Sequence, residues 1–345
     1  LTQMANNSIR VKQINTELVK TTLKSLPEGA GTISAIAKVT GLSVATCGNI
    51  LNELVATGEV EEAEPEKPNG GRPARRFVYN TNFSYIACLY VKMEGGRNWL
   101  TYAVADSMGE VVEESTAEHA SVTYEVIDEA VAGLIDRYAR IKAVGIGIPG
   151  VVRRGVIGVC DFRELVHVPL GPRLSDKYGL EFAIENDMNA AVYGFYRNQQ
   201  YEDHKTIAFV TCLKDNLPGA GIMVDGHILK GNTNFAGEVA FLPYDLPQEE
   251  LLVQLNSSRH FMPLAVKMLR SLIAIINPET IALTGELFGP EQLGALHSAC
   301  LKAIPAEHMP KLVWRADMHE DYRNGLISIT LERLSYGLQL IEKRM

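Results

Sequence analysis

Cysteine is scarce in this chain and is never closely spaced. Five cysteines, Cys47, Cys88, Cys160, Cys212 and Cys300, are scattered over 345 residues. The odd count argues against a disulfide framework, and no two have the spacing of zinc ligands. The eight histidines are equally dispersed. No apolar run is long enough to span a bilayer, and nothing at the N-terminus resembles a signal peptide. The expectations are therefore no metal, no membrane partner and a reducing cytoplasm.

An overall positive charge is also missing. The net charge is −8. Up to Asn82, nine basic residues stand against eight acidic ones, so this part is near +1 and the remainder near −9. An acidic body repels a polyanion, which confines any nucleic-acid contact to the N-terminal part.

What that part does contain is a helix-turn-helix pattern followed by a basic wing, over residues 32–77. Thr32 is placed to cap a short helix carrying Ile33, Ile36, Ala37 and Val39 on one side. Gly41 ends it, because glycine accepts the left-handed backbone of a tight turn. Leu42 is expected to point inward. Ser43 then offers its hydroxyl to the free N–H groups of a second helix. Spacing of three and four residues buries Cys47, Ile50, Leu51 and Leu54 and leaves Ala45, Thr46, Asn49 and Asn52 outside. Asparagine pairs bidentately with adenine and the threonine methyl touches thymine. Ser43, Ala45, Thr46, Asn49 and Asn52 are thus candidate DNA contacts. The strip Gly70-Gly71-Arg72-Pro73-Ala74-Arg75-Arg76 follows, and Arg72, Arg75 and Arg76 suit a narrow minor groove. A surface hairpin with solvated charges is the alternative. Glu61, Glu62, Glu64 and Glu66 would have to face away from phosphates.

Beyond Asn82 the texture changes to α/β. Residues 10–26 form an amphipathic helix with Val11, Ile14, Leu18 and Leu23 in one stripe, completing a three-helix head over residues 1–82. Strands are expected at 85–91, 98–105, 111–116 and 143–148, with a helix at 124–139 before the last of them. A strand at 181–184 leads into a helix at 188–197. A second cycle follows: strands at 206–211, 220–224 and 228–229, a helix at 265–276 and a strand at 280–283. Residues 325–343 form a final helix. Three strands, a helix and a strand, occurring twice, suggest a duplicated body with a cleft between its halves. The lobes are placed at 83–198, joined by the helix 325–345, and at 199–324.

In this order and spacing, Gly71-Arg72-Pro73-Ala74, Gly145-Ile146-Gly147-Ile148-Pro149-Gly150, Glu185-Asn186-Asp187-Met188-Asn189-Ala190-Ala191, Asp225-Gly226, Gly237-Glu238 and Asn277-Pro278-Glu279 resemble the ROK family of repressors, open reading frames and kinases. The resemblance covers nearly the whole chain. It implies an actin-like, ribonuclease-H-like double lobe of the sugar-kinase type, behind a winged helix-turn-helix in the regulatory branch. By the same resemblance Asn186 and Asp187 bind adjacent sugar hydroxyls, with Asp187 the base in kinases, and Glu238 is a further sugar ligand. Asp187 also lies just before a helix, so an N-cap role stands beside the sugar role. Gly147, Pro149 and Gly150 shape the floor of the cleft, or simply a tight strand-to-loop turn.

Departures from the family pattern bear on catalysis. The first phosphate loop reads Val91-Lys92-Met93-Glu94-Gly95-Gly96-Arg97, with Lys92 where the family has a magnesium-holding Asp. The second reads Asn216-Leu217-Pro218-Gly219-Ala220-Gly221, and Pro218 has no N–H to offer phosphate. Thr284-Gly285-Glu286 sets a carboxylate beside the adenosine region. Phe241 stands in place of the family's zinc-site histidine, and no cysteine occurs between Cys212 and Cys300. The expectation is a non-catalytic, cofactor-free regulator of carbohydrate genes. It would bind a double-stranded DNA operator as a homo-oligomer and sense a sugar or sugar derivative. A sugar kinase using Asp187 as base, and an effector-independent DNA-binding protein, are the alternatives.

Overall fold

A computed structural model describes residues 2–64, 74–199, 201 and 204–334, with backbone alone over 2–10. The chain starts with α1 (Thr2–Ser25), β1 (Ala30–Thr32), α2 (Ile33–Thr40), α3 (Val44–Thr57), β2 (Val60–Ala63) and β3 (Arg76–Tyr79). The caps fall where the sequence puts them. Thr32 Oγ1 accepts from Ala35 N at 3.2 Å, and Ser43 Oγ accepts from Thr46 N at 3.0 Å. Gly41 closes α2 at φ 72°, and α2 and α3 meet at a bend of 118°. The three strands pair in the order β1-β3-β2. Phe77, Tyr79, Ile36, Cys47, Ile50, Leu51 and Leu54 form the core of this head.

Two details of the head differ from expectation. In α1 the buried stripe is Val19 and Leu23, while Val11 is 55% exposed, because only the C-terminal half of the helix lies over the core. Val39 is likewise exposed at the outer end of α2.

The body begins with β4 (Tyr85–Glu94), β5 (Arg97–Asp106), β6 (Val111–His119), α4 (Tyr124–Arg137) and β7 (Ile141–Ile148). A small hairpin, β8 (Gly150–Arg153) and β9 (Val156–Cys160), then precedes α5 (Leu170–Tyr178), β10 (Glu181–Asn186) and α6 (Asp187–Gln199). The second half holds β11 (Ile207–Thr211), β12 (Gly219–Val224), β13 (His227–Ile228), α7 (Gln248–Leu255) and α8 (Phe261–Ile276). It ends with β14 (Thr280–Thr284), α9 (Leu293–Leu301), β15 (Lys311–Trp314) and α10 (His319–Leu334). Residues 335–343 of the expected final helix lie outside the described residues.

Each half is a five-stranded mixed sheet, and the two sheets share one topology. Their orders are β10-β7-β4-β5-β6 and β15-β14-β11-β12-β13. β4 is buried on both sides, as its unbroken run from Ile86 to Val91 requires. One core lies between the first sheet and α4 and α5, and another between the second sheet, α8 and α9. The third joins the halves: α6 and α10 lie between the sheets, with Ile86, Cys88 and Ala143 on one side and Phe209, Met223 and Ala282 on the other.

Glycine makes this middle layer possible. A Cβ at Gly194 of α6 would stand 1.9 Å from the Asp321 carbonyl oxygen, and one at Gly325 of α10 would stand 1.8 Å from that of Ala190. The two backbones therefore touch where any side chain would hold them apart.

The head is docked on the turn between β5 and β6. Met108 packs on the head core, and Lys24 Nζ donates to the Ser107 carbonyl at 3.0 Å while lying 4.3 Å from the Tyr79 ring centroid. Burial and the neighbouring Lys20 push the Lys24 pKa down. On the opposite side of the same turn, Gly109 abuts Ile327 and Leu331 of α10.

Candidate functional site

The first candidate surface is the outer face of α3. Ser43, Ala45, Asn49 and Asn52 are exposed and Thr46 is half-buried, while Cys47, Ile50, Leu51 and Leu54 are buried beneath them. One helix thus separates a core face from a polar face, as its spacing dictates. The Ser43 and Thr46 hydroxyls lie 2.8 Å apart, so this pair presents a single joined polar edge. Val44, 57% exposed at the start of α3, adds an apolar contact that the sequence reading passed over. Its place in the first turn, beside the cap, was the available signal.

The basic strip is less free than expected. Arg72 lies outside the described residues. Arg75 grips Glu62 with two hydrogen bonds of 2.7 and 2.8 Å across β2 and β3, and Arg76 reaches Glu28 at 3.1 Å. Glu62 therefore faces Arg75. Such exposed pairs are weak and exchangeable, so a phosphate can displace the carboxylate.

The second candidate site is a cavity of about 240 Å³ between the two halves of the body. Pro149, Gly150, Asn186, Asp187 and Glu238 all line it. Gly147 does not. It sits in β7 under the Tyr322 ring of α10, where a Cβ would lie 2.2 Å from the phenol oxygen, so its role is to admit that ring. The sequence reading of Gly147 as cleft floor is corrected accordingly.

Asn186, not Asp187, caps α6. Its Oδ1 accepts from Asn189 N at 2.9 Å, and its Nδ2 donates to the Gly150 carbonyl at 3.0 Å. That bond ties the loop after β7 to the end of β10. The N-cap reading of Asp187 therefore falls. One Asp187 oxygen accepts from Met188 N at 2.8 Å, and the side chain contributes to the cavity wall.

Three carboxylates share the cavity. Asp161 follows β9, Asp187 opens α6, and Glu238 belongs to the second half. Burial pushes the Asp187 carboxyl up to about 7 despite the Met188 N–H, and Asp161 and Glu238 add repulsion. Asp161 is raised by burial, and Glu238 by burial and then by Asp161. The Cys160 thiol beside them is pushed up to about 12, chiefly by burial, and is inert as a nucleophile. Among the described residues, no group of three or more His, Cys, Asp or Glu is placed to hold a metal ion.

The loop after β13 bridges the halves. Lys230 forms an ion pair with the buried Glu185 of β10, and Asn234 Nδ2 donates to the Val152 carbonyl of β8. Phe235 and Phe241 lie at the cavity with ring centroids 5.0 Å apart. Asp161, Thr211, Asn234 and Phe235 were missed by the sequence reading. They come from three separate segments that only the folded chain brings together.

The other loops are also occupied by the protein itself. Gly95 and Gly96, at φ 58° and 72°, form a two-residue hairpin between β4 and β5, and Lys92 pairs with Glu94 at 2.7 Å. Glu286 accepts from the Lys214 backbone N–H at 3.0 Å.

Residues 90–251 match the family described as the ROK family. Similar curated proteins include the xylose repressor of Caldicellulosiruptor bescii (strain ATCC BAA-1888 / DSM 6725 / KCTC 15123 / Z-1320), 26% identical over 248 residues. That match covers 68% of this chain and 60% of the repressor. The DNA-binding transcriptional repressor Mlc of Escherichia coli (strain K12) is 25% identical over 255 residues, covering 68% and 59%. The chain thus spans about three fifths of the length of these relatives. Among solved structures, a ROK family transcriptional regulator described as a homologue of the E. coli Mlc protein superposes with a TM-score of 0.68 at 18% identity, covering 96% of this chain and 98% of that one. The ROK hexokinase from Thermus thermophilus gives 0.55 at 19%, covering 73% and 99%. These likenesses establish the fold: an α/β body of the ROK regulator and sugar-kinase type.

Proposed function

Because the chain carries a ROK family domain over residues 90–251, we propose that it is a sugar-responsive transcriptional repressor. Residues 1–82 act as a winged helix-turn-helix on operator DNA. Residues 83–198 with the C-terminal helix, and residues 199–324, act as the two lobes of an effector and dimerisation body. The observation that carries this reading is the outer face of α3, capped at Ser43 and bearing Asn49 and Asn52 in the open, beside a hairpin that supplies Arg75 and Arg76. A helix of this kind enters the major groove by its N-terminal residues, and the hairpin reaches the neighbouring backbone or minor groove.

The body supplies the response. A carboxylate and amide pair such as Asp187 and Asn186 suits vicinal hydroxyls, and Glu238 approaches from the other lobe. Lys230 and Asn234 already bridge the lobes, so a ligand that tightens or loosens these contacts changes the angle between them. It does so only by preferring one arrangement, at about 1.4 kcal/mol per tenfold preference. Two-fold dimers would read half-sites about one helical turn, or a multiple, apart. The site of action is the cytoplasm, where the operator is.

One observation favours a second reading. A carboxyl near pH 7 in a sugar-sized cleft is what a kinase base requires. Against it stand the Gly95–Gly96 hairpin in place of a phosphate loop, Pro218 without an N–H, and Glu286 occupying the Lys214 N–H. ATP-dependent sugar phosphate that disappears in Asp187→Asn would revive it. Gel-shift titration of the upstream region, with and without a sugar panel, tests the favoured reading. Saturable specific binding is expected, and uniform salt-sensitive binding to all duplexes would refute it.

A further inference from the structure

The cleft identifies its ligand more closely than as a sugar. Its lining contains Asp161, Asp187 and Glu238 and, among the described lining residues, no lysine, arginine or histidine. The nearest cation on the bridging loop, Lys230, is engaged by Glu185. Bringing a phosphate ester here would set two negative charges against three acidic groups with nothing to compensate them. An ammonium reverses each of those signs, because it donates charge-assisted hydrogen bonds to carboxylates.

Two further observations lie outside the acidic cluster. Thr211, at the end of β11, is only 8% exposed and lines the cavity, yet its hydroxyl has no hydrogen-bond partner among the described residues. A buried hydroxyl left unmatched calls for a polar ligand group. Phe235 and Phe241, 43% and 57% exposed and packed with their rings tilted at 60°, line the same cavity. Aromatic faces attract cations and cover the C–H side of a polyol.

We infer that the effector is an amine-bearing polyol, an amino sugar with a free ammonium group, and that sugar phosphates are excluded. This rests on the reading of the cleft as an effector site. The ammonium donates to one of the carboxyls in a cavity whose three acidic groups, Asp161, Asp187 and Glu238, all favour a cation, and the hydroxyls meet Asn186 and Thr211. The groups that titrate against it are these three carboxyls and the Cys160 thiol. Binding therefore draws protons from the carboxyls and weakens as they protonate in acid.

The test is calorimetric titration and thermal shift of the full chain at pH 7. The probes are glucosamine, galactosamine and mannosamine, their parent hexoses, and the hexose 6-phosphates. One amino sugar should bind at least about tenfold more tightly than its parent. Asp161→Asn should shrink that ratio while binding of the parent hexose persists. A parent hexose or a 6-phosphate binding as tightly as the amino sugar overturns the inference and leaves the effector site standing. A panel in which nothing binds and nothing raises the melting temperature overturns both.

Discussion

Replacing Asp187 by asparagine should stabilise this protein progressively as pH rises from about 4, reaching its full effect above about pH 7. The carboxyl is raised from its ordinary 3.8 to about 7 by burial and by the neighbouring Asp161 and Glu238. A folded state that holds a proton more tightly than the unfolded chain loses stability as pH rises between those two values. The loss is complete above about pH 7 and absent below about pH 4. A shift of about three units corresponds to ~4 kcal/mol as an upper bound, at 1.36 kcal/mol per unit. Asp187 is half-buried and lines the cleft, so solvent screening brings the expectation to about 2 kcal/mol. Asn retains the oxygen that accepts from Met188 N but carries no charge. In a chain of this size Asp187→Asn should therefore melt roughly 3 °C higher than the parent at pH 8, and the two should coincide at pH 4. Paired calorimetric scans across that range read the difference directly, and ordinary titration of the rest of the molecule cancels. An offset that is the same at both pH values, or a variant that is less stable at pH 8, would show that Asp187 is not held protonated by its surroundings.

Four other substitutions probe the remaining surfaces. Asn49→Ala and Asn52→Ala should each weaken specific operator binding by about 1–3 kcal/mol while leaving helix content and non-specific binding unchanged; loss of both kinds of binding together would mean a damaged head. Glu62→Gln releases Arg75 from its bidentate partner, and should tighten DNA binding about two- to fivefold at low salt; an unchanged affinity in a salt titration would place Arg75 away from the duplex. Gly194→Ala puts a methyl 1.9 Å from the Asp321 carbonyl oxygen, and should cost about 3 kcal/mol or more in denaturant unfolding; a neutral result would mean that α6 and α10 separate easily.

The parts of this architecture with a local cause were legible in the sequence. Thr32, Gly41 and Ser43 marked the helix boundaries because each acts on its own neighbours, and spacing alone sorted Cys47 and Ile50 from Asn49 and Asn52. The repeated order of strands and helices was legible for the same reason. Parts decided by tertiary approach were not. Gly147 stands in a motif with Pro149 and Gly150, yet alternation along β7 turns it toward α10 instead of the cleft. Asp161 and Thr211 carry no periodic signal, and nothing short of the folded chain brings them to one wall. The cap fell to Asn186 and not to Asp187, because which of two adjacent residues caps a helix depends on where its first turn begins.

The turn carrying Ser107, Met108 and Gly109 is wedged between the head and α10. A head held this way cannot swing on its tether like a flail, because any tilt would pull Met108 from its socket and break the Lys24–Ser107 hydrogen bond. In the proposed dimer each protomer would be one arm of a pair of callipers, with its tip fixed to its shaft. On that proposal the gap between the tips would be set at the joint between two arms, and mutations that uncouple sensing from DNA release would gather along that joint and the α6–α10 layer, well away from the operator.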